Sequence, residues 1–141
     1  IILCGNGGSA AISSHVAVDI SKNLKLKAIN FNEADLITCY ANDYGYENWM
    51  SEAIKSYGDK NDILILVSSS GKSMNVRNAA KIAKKMGIFI ITFTGFNKNN
   101  PLSKLGSINF WVNSKDYNIV ELTHLTWLLC IVDFLKIYKK K

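Results

Sequence analysis

Short apolar runs rich in β-branched residues alternate along the chain with longer stretches in which apolar residues recur every three or four positions. The short runs predict strands buried on both faces, and the longer stretches predict helices. Strands are predicted at residues 1–4, 27–31, 63–67, 88–93 and 107–112, and helices at residues 9–21, 34–41, 46–57, 73–86 and 117–138. This order is typical of an α/β fold, a sandwich with a mainly parallel sheet between layers of helices.

The predicted helix at residues 117–138 is apolar around nearly its whole circumference. A helix of this kind must be buried on more than one side. Two arrangements meet that requirement, because the helix is either central to the fold or packed against another subunit. Since the C-terminal element of an α/β sandwich normally lies in an outer layer, we favour a subunit interface.

Length and charge narrow the class of protein. A chain of 141 residues, 48% of them apolar, fits one domain with a substantial core. The net charge is +6, but Lys136, Lys139, Lys140 and Lys141 lie in the last six residues. Such a tail is typical of a solvated helix end, so we expect neither nucleic acid nor a membrane as partner. No segment approaches the roughly 18 uncharged apolar residues of a membrane span, and no secretion signal is recognisable.

The three cysteines carry information about the compartment. Cys4, Cys39 and Cys130 are widely spaced, odd in number and each surrounded by apolar residues. This pattern indicates buried thiols in a reducing compartment rather than a disulfide framework or a zinc ribbon. We therefore expect a cytoplasmic protein.

The segment between the third predicted strand and the next helix, Ser68-Ser69-Ser70-Gly71-Lys72-Ser73, holds four serines around one glycine. Main-chain N–H groups at a helix N-terminus and serine hydroxyls together favour an anion such as a phosphate. The alternative is a serine-rich turn in which Ser73 serves only as the N-cap of the helix. In parallel α/β sheets ligands bind beyond the carboxyl ends of the strands, where this segment is expected to lie.

The first predicted strand is also followed by a glycine-rich segment, Gly5-Asn6-Gly7-Gly8-Ser9-Ala10. Gly5, Gly7 and Ala10 match the G-x-G-x-x-A spacing of dinucleotide-binding loops, which is a weak signal alone. The acidic residue expected at the end of the second strand is missing, because that strand ends Ile29-Asn30-Phe31-Asn32. We therefore expect no nucleotide cofactor and interpret the segment as a second wall of main-chain donors.

Each of the two histidines has a carboxylate within one helical turn. His15 and Asp19 are four residues apart on the first helix, and Glu121 and His124 are three apart on the last. These spacings place the two side chains of each pair on one helix face. Such pairs serve acid–base catalysis or hold a metal ion. An exposed ion pair for the first and a polar contact at a subunit interface for the second are the alternatives.

Three strings in the right order resemble the sugar isomerase (SIS) domain family, and most of all its phosphoheptose isomerase branch. They are Cys-Gly-Asn-Gly-Gly-Ser-Ala-Ala at 4–11 with His15, Ala-Asn-Asp-Tyr-Gly-Tyr at 41–46, and Ser-Ser-Ser-Gly-Lys-Ser-x-Asn-Val at 68–76. The resemblance implies a single SIS domain over residues 1–141 with a flavodoxin-like, five-stranded parallel sheet between helices. It also implies a homotetramer with active sites between subunits. Family members carry an N-terminal helical segment before the first strand, which we expect to be missing from this sequence.

The resemblance implies an activity and a ligand. The branch interconverts sedoheptulose 7-phosphate and glycero-manno-heptose 7-phosphate for bacterial surface polysaccharides, so a sugar phosphate is the expected partner. The implied substrate-binding residues are Asn6, Gly7, Ser9, Asp43, Ser68, Ser69, Ser70 and Ser73.

The resemblance also implies a catalytic set, which this sequence alters. Asp19 stands where the family has a glutamate base that moves a proton between C1 and C2, and Leu129 stands where it has an acid histidine. Glu121 occupies the place of a metal- or substrate-binding glutamine, with His124 about one turn along. The implied catalytic residues are Asp19, Glu121 and His124, and the implied ligands of an optional zinc ion are His15, Asp19 and Glu121.

Two functions of different classes follow. The first is a phosphosugar isomerase that works through an enediol. The second is a regulatory scaffold that binds sugar phosphates without turnover, and it resembles the initiator-associating protein that uses this fold in replication. Leu129 and the shortened Asp19 favour the scaffold. Since both loops are intact and the histidine–carboxylate set is altered rather than erased, we favour the enzyme.

Overall fold

Five short strands form one parallel sheet in a computed structural model, which describes residues 1–139. They are β1 (Ile2–Cys4), β2 (Ile29–Asn30), β3 (Ile63–Ser68), β4 (Phe89–Thr94) and β5 (Ile108–Trp111). Their order across the sheet is β2-β1-β3-β4-β5, and every neighbouring pair is parallel. This is the flavodoxin-like order, so the predicted α/β fold with a five-stranded sheet is confirmed.

Helices cover both faces of the sheet. They are α1 (Gly8–Asp19), α2 (Ala34–Tyr44), α3 (Trp49–Tyr57), α4 (Met74–Lys85) and α5 (Tyr117–Tyr138). The helix predicted at residues 9–21 instead leaves α-helical geometry after Asp19 and continues as a π-helical turn over Ile20–Leu24, which ends at Lys25 with a φ of 57°. The bounds of α5 agree with the prediction.

The absence of polar alternation in the strands follows from this two-sided covering. Successive side chains of a strand point to opposite faces, so Leu64 and Leu66 of β3 face one layer while Ile65 and Val67 face the other. The first two belong to an apolar cluster with residues of α3 and α4, among them Met50 and Ile54. All six of these residues other than Ile65 are fully buried, at 0% exposure.

The second layer consists of α1 and α5. Its cluster joins the other face of the sheet to these helices and contains Leu3, Val16, Phe93, Leu128 and Val132. Each apolar side chain of this size contributes roughly 1.5–3 kcal/mol when it leaves water. Packing in this cluster therefore sets the positions of α1 and α5 on this face of the sheet.

Only one stripe of α5 is buried in the described chain, made of Val120, His124, Leu128 and Val132. Leu122, Phe134 and Ile137 are each 64% exposed.

By length and composition α5 also meets the criteria of a membrane span, with 22 residues and a mean hydropathy of 1.4. The expectation that no segment approaches such a span is corrected, although this signal is weak because core helices meet the same criteria. Lys140 and Lys141 of the basic tail lie outside the described residues.

The cysteines differ from the prediction of three buried thiols. Cys4 is buried in β1, and burial raises the pKa of its thiol far above the ordinary value. Cys39 and Cys130 are exposed, because they lie on the outer faces of α2 and α5. All three are free thiols.

Candidate functional site

A cleft of about 280 Å³ opens at the carboxyl ends of β1 and β3. These neighbouring strands send their following helices to opposite faces of the sheet, which is the topological switch point where parallel α/β sheets bind ligands. The cleft is lined by Asn6, Gly7, Gly8, Ser9, Val67, Ser68, Ser69, Ser70, Ser73, Tyr117 and Glu121. We call residues 5–9 and 68–73 the loop wall, and Tyr117 with Glu121 the α5 wall.

The first half of the loop wall is shaped by glycine. Gly7 is the N-cap of α1 with a φ of 55°, which favours glycine, and its carbonyl accepts hydrogen bonds from Ala10 N and Ala11 N at 3.0 and 3.1 Å. A Cβ atom on Gly5 would lie 2.7 Å from the main chain of Ser9. The chain therefore turns tightly and exposes the start of α1 to the cleft, where the helix dipole favours an anion.

In the second half of the loop wall, Ser70 Oγ accepts a hydrogen bond from Lys72 N at 3.2 Å, whereas the hydroxyls of Ser69 and Ser73 remain available to a ligand. Ser68 and Ser69 are buried, and Ser69 Oγ has no hydrogen-bond partner among the described residues. Ser73 is the N-cap of α4, yet its hydroxyl makes no capping bond. Gly71 closes the turn with a φ of 62° and donates its N–H to Ser68 O at 3.1 Å. Since an unpaired buried hydroxyl costs about 1–3 kcal/mol, this loop favours a bound acceptor over a purely structural turn.

A pair of amides ties the two halves of the loop wall together. Asn6 Nδ2 donates to Asn75 Oδ1 at 2.9 Å, and Asn75 Nδ2 donates to Asn6 Oδ1 at the same distance. Asn75 is buried in the first turn of α4. Both Nδ2 and Oδ1 of the predicted substrate residue Asn6 are therefore used in hydrogen bonds that hold the two loops together. Nothing in the spacing of residues 6 and 75 pointed to this contact.

Glu121 is the carboxylate that faces the loop wall. It lies on α5 against the first turn of α1, so closely that a Cβ atom on Gly8 would overlap Glu121 Oε2. The absence of a side chain at Gly8 is what makes room for this carboxylate beside the N-terminus of α1. Gly8 and Tyr117 line the cleft but were not among the predicted site residues.

His124, which the sequence predicts as a catalytic residue, is not part of the cleft lining of the chain. Its ring is fully buried under α5, and Nε2 donates to Thr94 O at 3.1 Å, since a carbonyl oxygen only accepts. Burial lowers the pKa of His124, and the bond to Thr94 opposes that shift only in part. A spacing of three residues separates two side chains by about 60° around a helix, so Glu121 reaches the cleft while His124 points into the core. The two residues are neighbours on α5 as their spacing predicted, but Glu121 lines the cleft and His124 does not.

His15, Asp19 and Asp43 also lie outside the cleft lining of the chain. His15 Nε2 and Asp19 Oδ2 are 3.7 Å apart on an outward face of α1. Asp43 is exposed at the end of α2, where it accepts a hydrogen bond from Asn42 Nδ2 at 2.9 Å. The motif at residues 41–46 approaches the cleft instead through Tyr46, whose hydroxyl lies 3.5 Å from Asn6 Oδ1.

The predicted zinc ligands do not fit a metal ion within one chain. Over residues 1–139 no three side chains of His, Cys, Asp or Glu lie close enough together to hold one. His15 and Asp19 form a pair on the outside of α1, and Glu121 lies in the cleft. Two donors at one place are fewer than the three protein ligands of a catalytic zinc site. We therefore derive no step through zinc.

The fold and cleft define a class of protein, an α/β domain whose cleft lies between two helix N-termini that favour an anion, with one carboxylate facing them. Residues 1–95 match the SIS domain family. The chain belongs to this family, as its motifs predicted.

Similar proteins with more specific names are phosphoheptose isomerases. The one from Helicobacter pylori (strain HPAG1) is 36% identical over 141 residues, covering 94% of this chain and 72% of the relative. The one from Thermodesulfovibrio yellowstonii is 37% identical over 132 residues, covering 89% of this chain and 65% of the relative. The structure of the phosphoheptose isomerase from Neisseria gonorrhoeae matches with a TM-score of 0.89 at 26% identity, over 95% of this chain and 74% of that one. These relatives support a phosphosugar isomerase and do not favour the regulatory scaffold.

Proposed function

We propose that the chain is an aldose–ketose phosphate isomerase that interconverts sedoheptulose 7-phosphate and glycero-manno-heptose 7-phosphate. The observation that carries the proposal is the cleft, where five serines and two helix N-termini face one carboxylate. The names of the relatives agree with this activity.

The loop wall takes the phosphate. The hydroxyls of Ser69 and Ser73 make no other bond or cap, and the N-termini of α1 and α4 supply main-chain donors and favourable dipoles. A phosphate dianion bound here would supply the acceptor that Ser69 Oγ lacks. Binding energy from this end of the substrate fixes the position of the reacting carbons at the other end.

Glu121 moves the proton. In the ketose-to-aldose direction a proton leaves C1, an enediol forms across C1 and C2, and a proton is delivered to C2. The hydroxyl proton at C1 is lost, and the oxygen at C2 gains one. A carboxylate that stays on one face of the substrate can remove the first proton and return it, and one positioned group of this kind contributes about 10²–10⁴-fold. Glu121 takes this role because it faces the loop wall, whereas His124 is enclosed in the core.

His15 and Asp19 act, in this proposal, across a subunit boundary. Both lie on an outward face of α1, and α5 beside it exposes Leu122 and Phe134. A second copy of the chain packs on this apolar surface and removes it from water. A homotetramer buries the surface in this way. Asp19 then reaches the cleft of a neighbouring copy and shares proton transfer with its Glu121. The free thiols fit a reducing, cytoplasmic compartment.

The test is turnover of sedoheptulose 7-phosphate by the full-length protein, followed by NMR as formation of the aldose. Glu121→Gln should lower kcat by about 10²–10⁴-fold while leaving the affinity for inorganic phosphate unchanged. Glu52→Gln is the matched control, because that carboxylate lies on α3 and pairs with Lys55. Binding of the sugar phosphate by the wild type without any turnover would overturn the proposal and favour the scaffold.

The subunit boundary has its own readout in the same assay. Asp19→Asn should be as inactive as Glu121→Gln, and mixing the two variants under conditions that exchange subunits should restore activity. Restoration requires that Asp19 and Glu121 of one site come from different chains. Two inactive variants that stay inactive after exchange would contradict the arrangement.

A further inference from the structure

Tyr117 stands in the cleft with no assigned role. It is the first residue of α5, one helical turn before Glu121, and it is one of the residues that line the cleft. The residue is 58% exposed, so its ring and hydroxyl are available to a ligand. A tyrosine offers both an apolar face for carbon-bound hydrogens and a hydroxyl for polar contacts.

The ring of Tyr117 is held in place by Phe96. The two rings pack edge to face with centroids 4.8 Å apart. Phe96 has a φ of 54°, a left-handed conformation that is unusual for a bulky residue, and it donates its N–H to Ser114 O at 2.8 Å. Residues in such conformations persist only where the surrounding structure fixes them. Phe96 is not among the residues that line the cleft, so it supports the ring of Tyr117 without occupying the cleft.

The same short segment is anchored to the loop wall. Gly95 donates its N–H to Ser69 O at 2.8 Å. A Cβ atom on Gly95 would lie 2.7 Å from both methyl groups of Val120, so α5 packs directly on this glycine. The position of Tyr117 is thus set relative to Ser69, where the phosphate is proposed to bind.

We propose that Tyr117 contacts the hydroxyl-bearing carbons of the substrate and sets the preference of the enzyme for the length of the sugar phosphate. The inference rests on the proposed function. With the phosphate at the loop wall, the carbon chain must run toward the α5 wall to bring C1 and C2 to Glu121. Tyr117 precedes Glu121 by one turn, so it meets the part of the chain that differs between sugars of different length. Phe96 acts as its positioning residue.

The experiment compares the affinities of full-length wild type and variants for ribulose 5-phosphate, fructose 6-phosphate, sedoheptulose 7-phosphate and inorganic phosphate by calorimetry. We expect the wild type to favour the seven-carbon sugar. Tyr117→Ala should reduce the ratio of seven-carbon to five-carbon affinity by about tenfold, and Tyr117→Phe should reduce it less because the apolar face remains. Inorganic phosphate should bind all variants equally. Tyr138→Ala is the matched control, since that exposed tyrosine lies at the far end of α5.

Each outcome decides the inference. A loss of the same size for all three sugars, or no loss in Tyr117→Ala, would overturn it, as would a wild type without preference among them. Sugar-phosphate binding without turnover would refute the isomerase activity. The affinity ratios would still test whether Tyr117 sets the preference for sugar length. A wild type that binds neither sugar phosphates nor inorganic phosphate would overturn both proposals. Phe96→Leu should move the affinity ratio in the same direction as Tyr117→Phe, because it loosens the support of the ring.

Discussion

The loop wall and the α5 wall of the cleft differ in what holds their polar groups in place. The loop wall is built from main-chain turns, with Gly7 and Gly71 at positive φ and the Asn6–Asn75 amide pair between its halves. The α5 wall consists of two side chains on a helix whose adjoining buried stripe is fixed by packing. The first wall is therefore preformed by local geometry, whereas the second depends on how α5 lies on the sheet.

This difference matches the two tasks of the proposed site, which are phosphate binding by the loop wall and proton transfer by the α5 wall. A phosphate needs many donors at fixed positions, and main-chain turns supply them with little loss of side-chain entropy. Proton transfer needs one carboxylate positioned within reach of the reacting carbons. A helix side chain such as Glu121 meets that need, and it also allows the reactive residue to change while the phosphate site stays the same.

Breaking the amide pair should have the largest effect on the loop wall. Asn75→Ala removes both hydrogen bonds of the amide pair and leaves the half-buried amide of Asn6 without Asn75, which costs about 1–3 kcal/mol. We expect urea unfolding to report a loss of that size and calorimetry to report weaker binding of inorganic phosphate. Asn99→Ala, at an exposed turn, is the control and should change stability by less than about 0.5 kcal/mol. If Asn75→Ala unfolds at the wild-type urea concentration, the amide pair does not hold the loop wall.

The loop wall was also the part of the site that the sequence predicted best. Its glycines and serines lie in short segments between a strand and a helix, so local chemistry alone indicated an anion site. Ser9 and Ser68 and their neighbours do line the cleft. The contact between Asn6 and Asn75 was missed, since it joins residues 69 positions apart and depends on the order of β1 and β3 in the sheet.

The α5 wall was predicted less well for a physical reason. Helical spacing places residues on a common face, but it does not say which edge of that face is buried. Glu121 and His124 differ by about 60° around α5, and the packing of the helix on β4 sends one to the cleft and the other to the core. His15 and Asp19 also share a helix face, but their spacing does not say whether that face of α1 points toward the cleft or away from it.

Gly8 lies where the two walls meet, and a substitution there changes the α5 wall through a residue of the loop wall. In Gly8→Ala the new methyl group displaces the carboxylate of Glu121. We expect kcat to fall by about tenfold, because a small displacement of a reacting group lowers the rate strongly. The stability should be unchanged or slightly higher, since alanine favours the helix. The effect on kcat should largely vanish in the Glu121→Gln background, and equal effects in both backgrounds would contradict a role for Gly8 in placing Glu121.

The smallest expected effect concerns His124, whose buried side chain joins α5 to Thr94 of β4. Because His124 has a lowered pKa and donates through Nε2, protonation in the folded state would place a positive charge at Nδ1, a buried atom with no partner among residues 1–139. The unfolded chain takes up a proton near its ordinary pKa of about 6.5, before the folded chain does. The free energy of unfolding should therefore fall as the pH drops from about 6.5 toward the lowered pKa, by at most about 1.4 kcal/mol per pH unit.

His124→Gln retains a donor for Thr94 O but cannot be protonated, so its urea unfolding should lose this part of the pH dependence between pH 7.5 and 5.5. His15→Gln is the matched control for the loss of a histidine outside the core, since its side chain is 56% exposed in the single chain, and the slope that comes from His124 should remain in this variant. Identical slopes in the wild type and His124→Gln would mean that the His124 site accepts a proton without cost. In that case the α5 wall is less firmly packed on β4 than the buried stripe of α5 indicates, and Glu121 and Tyr117 would owe their positions to the loops instead.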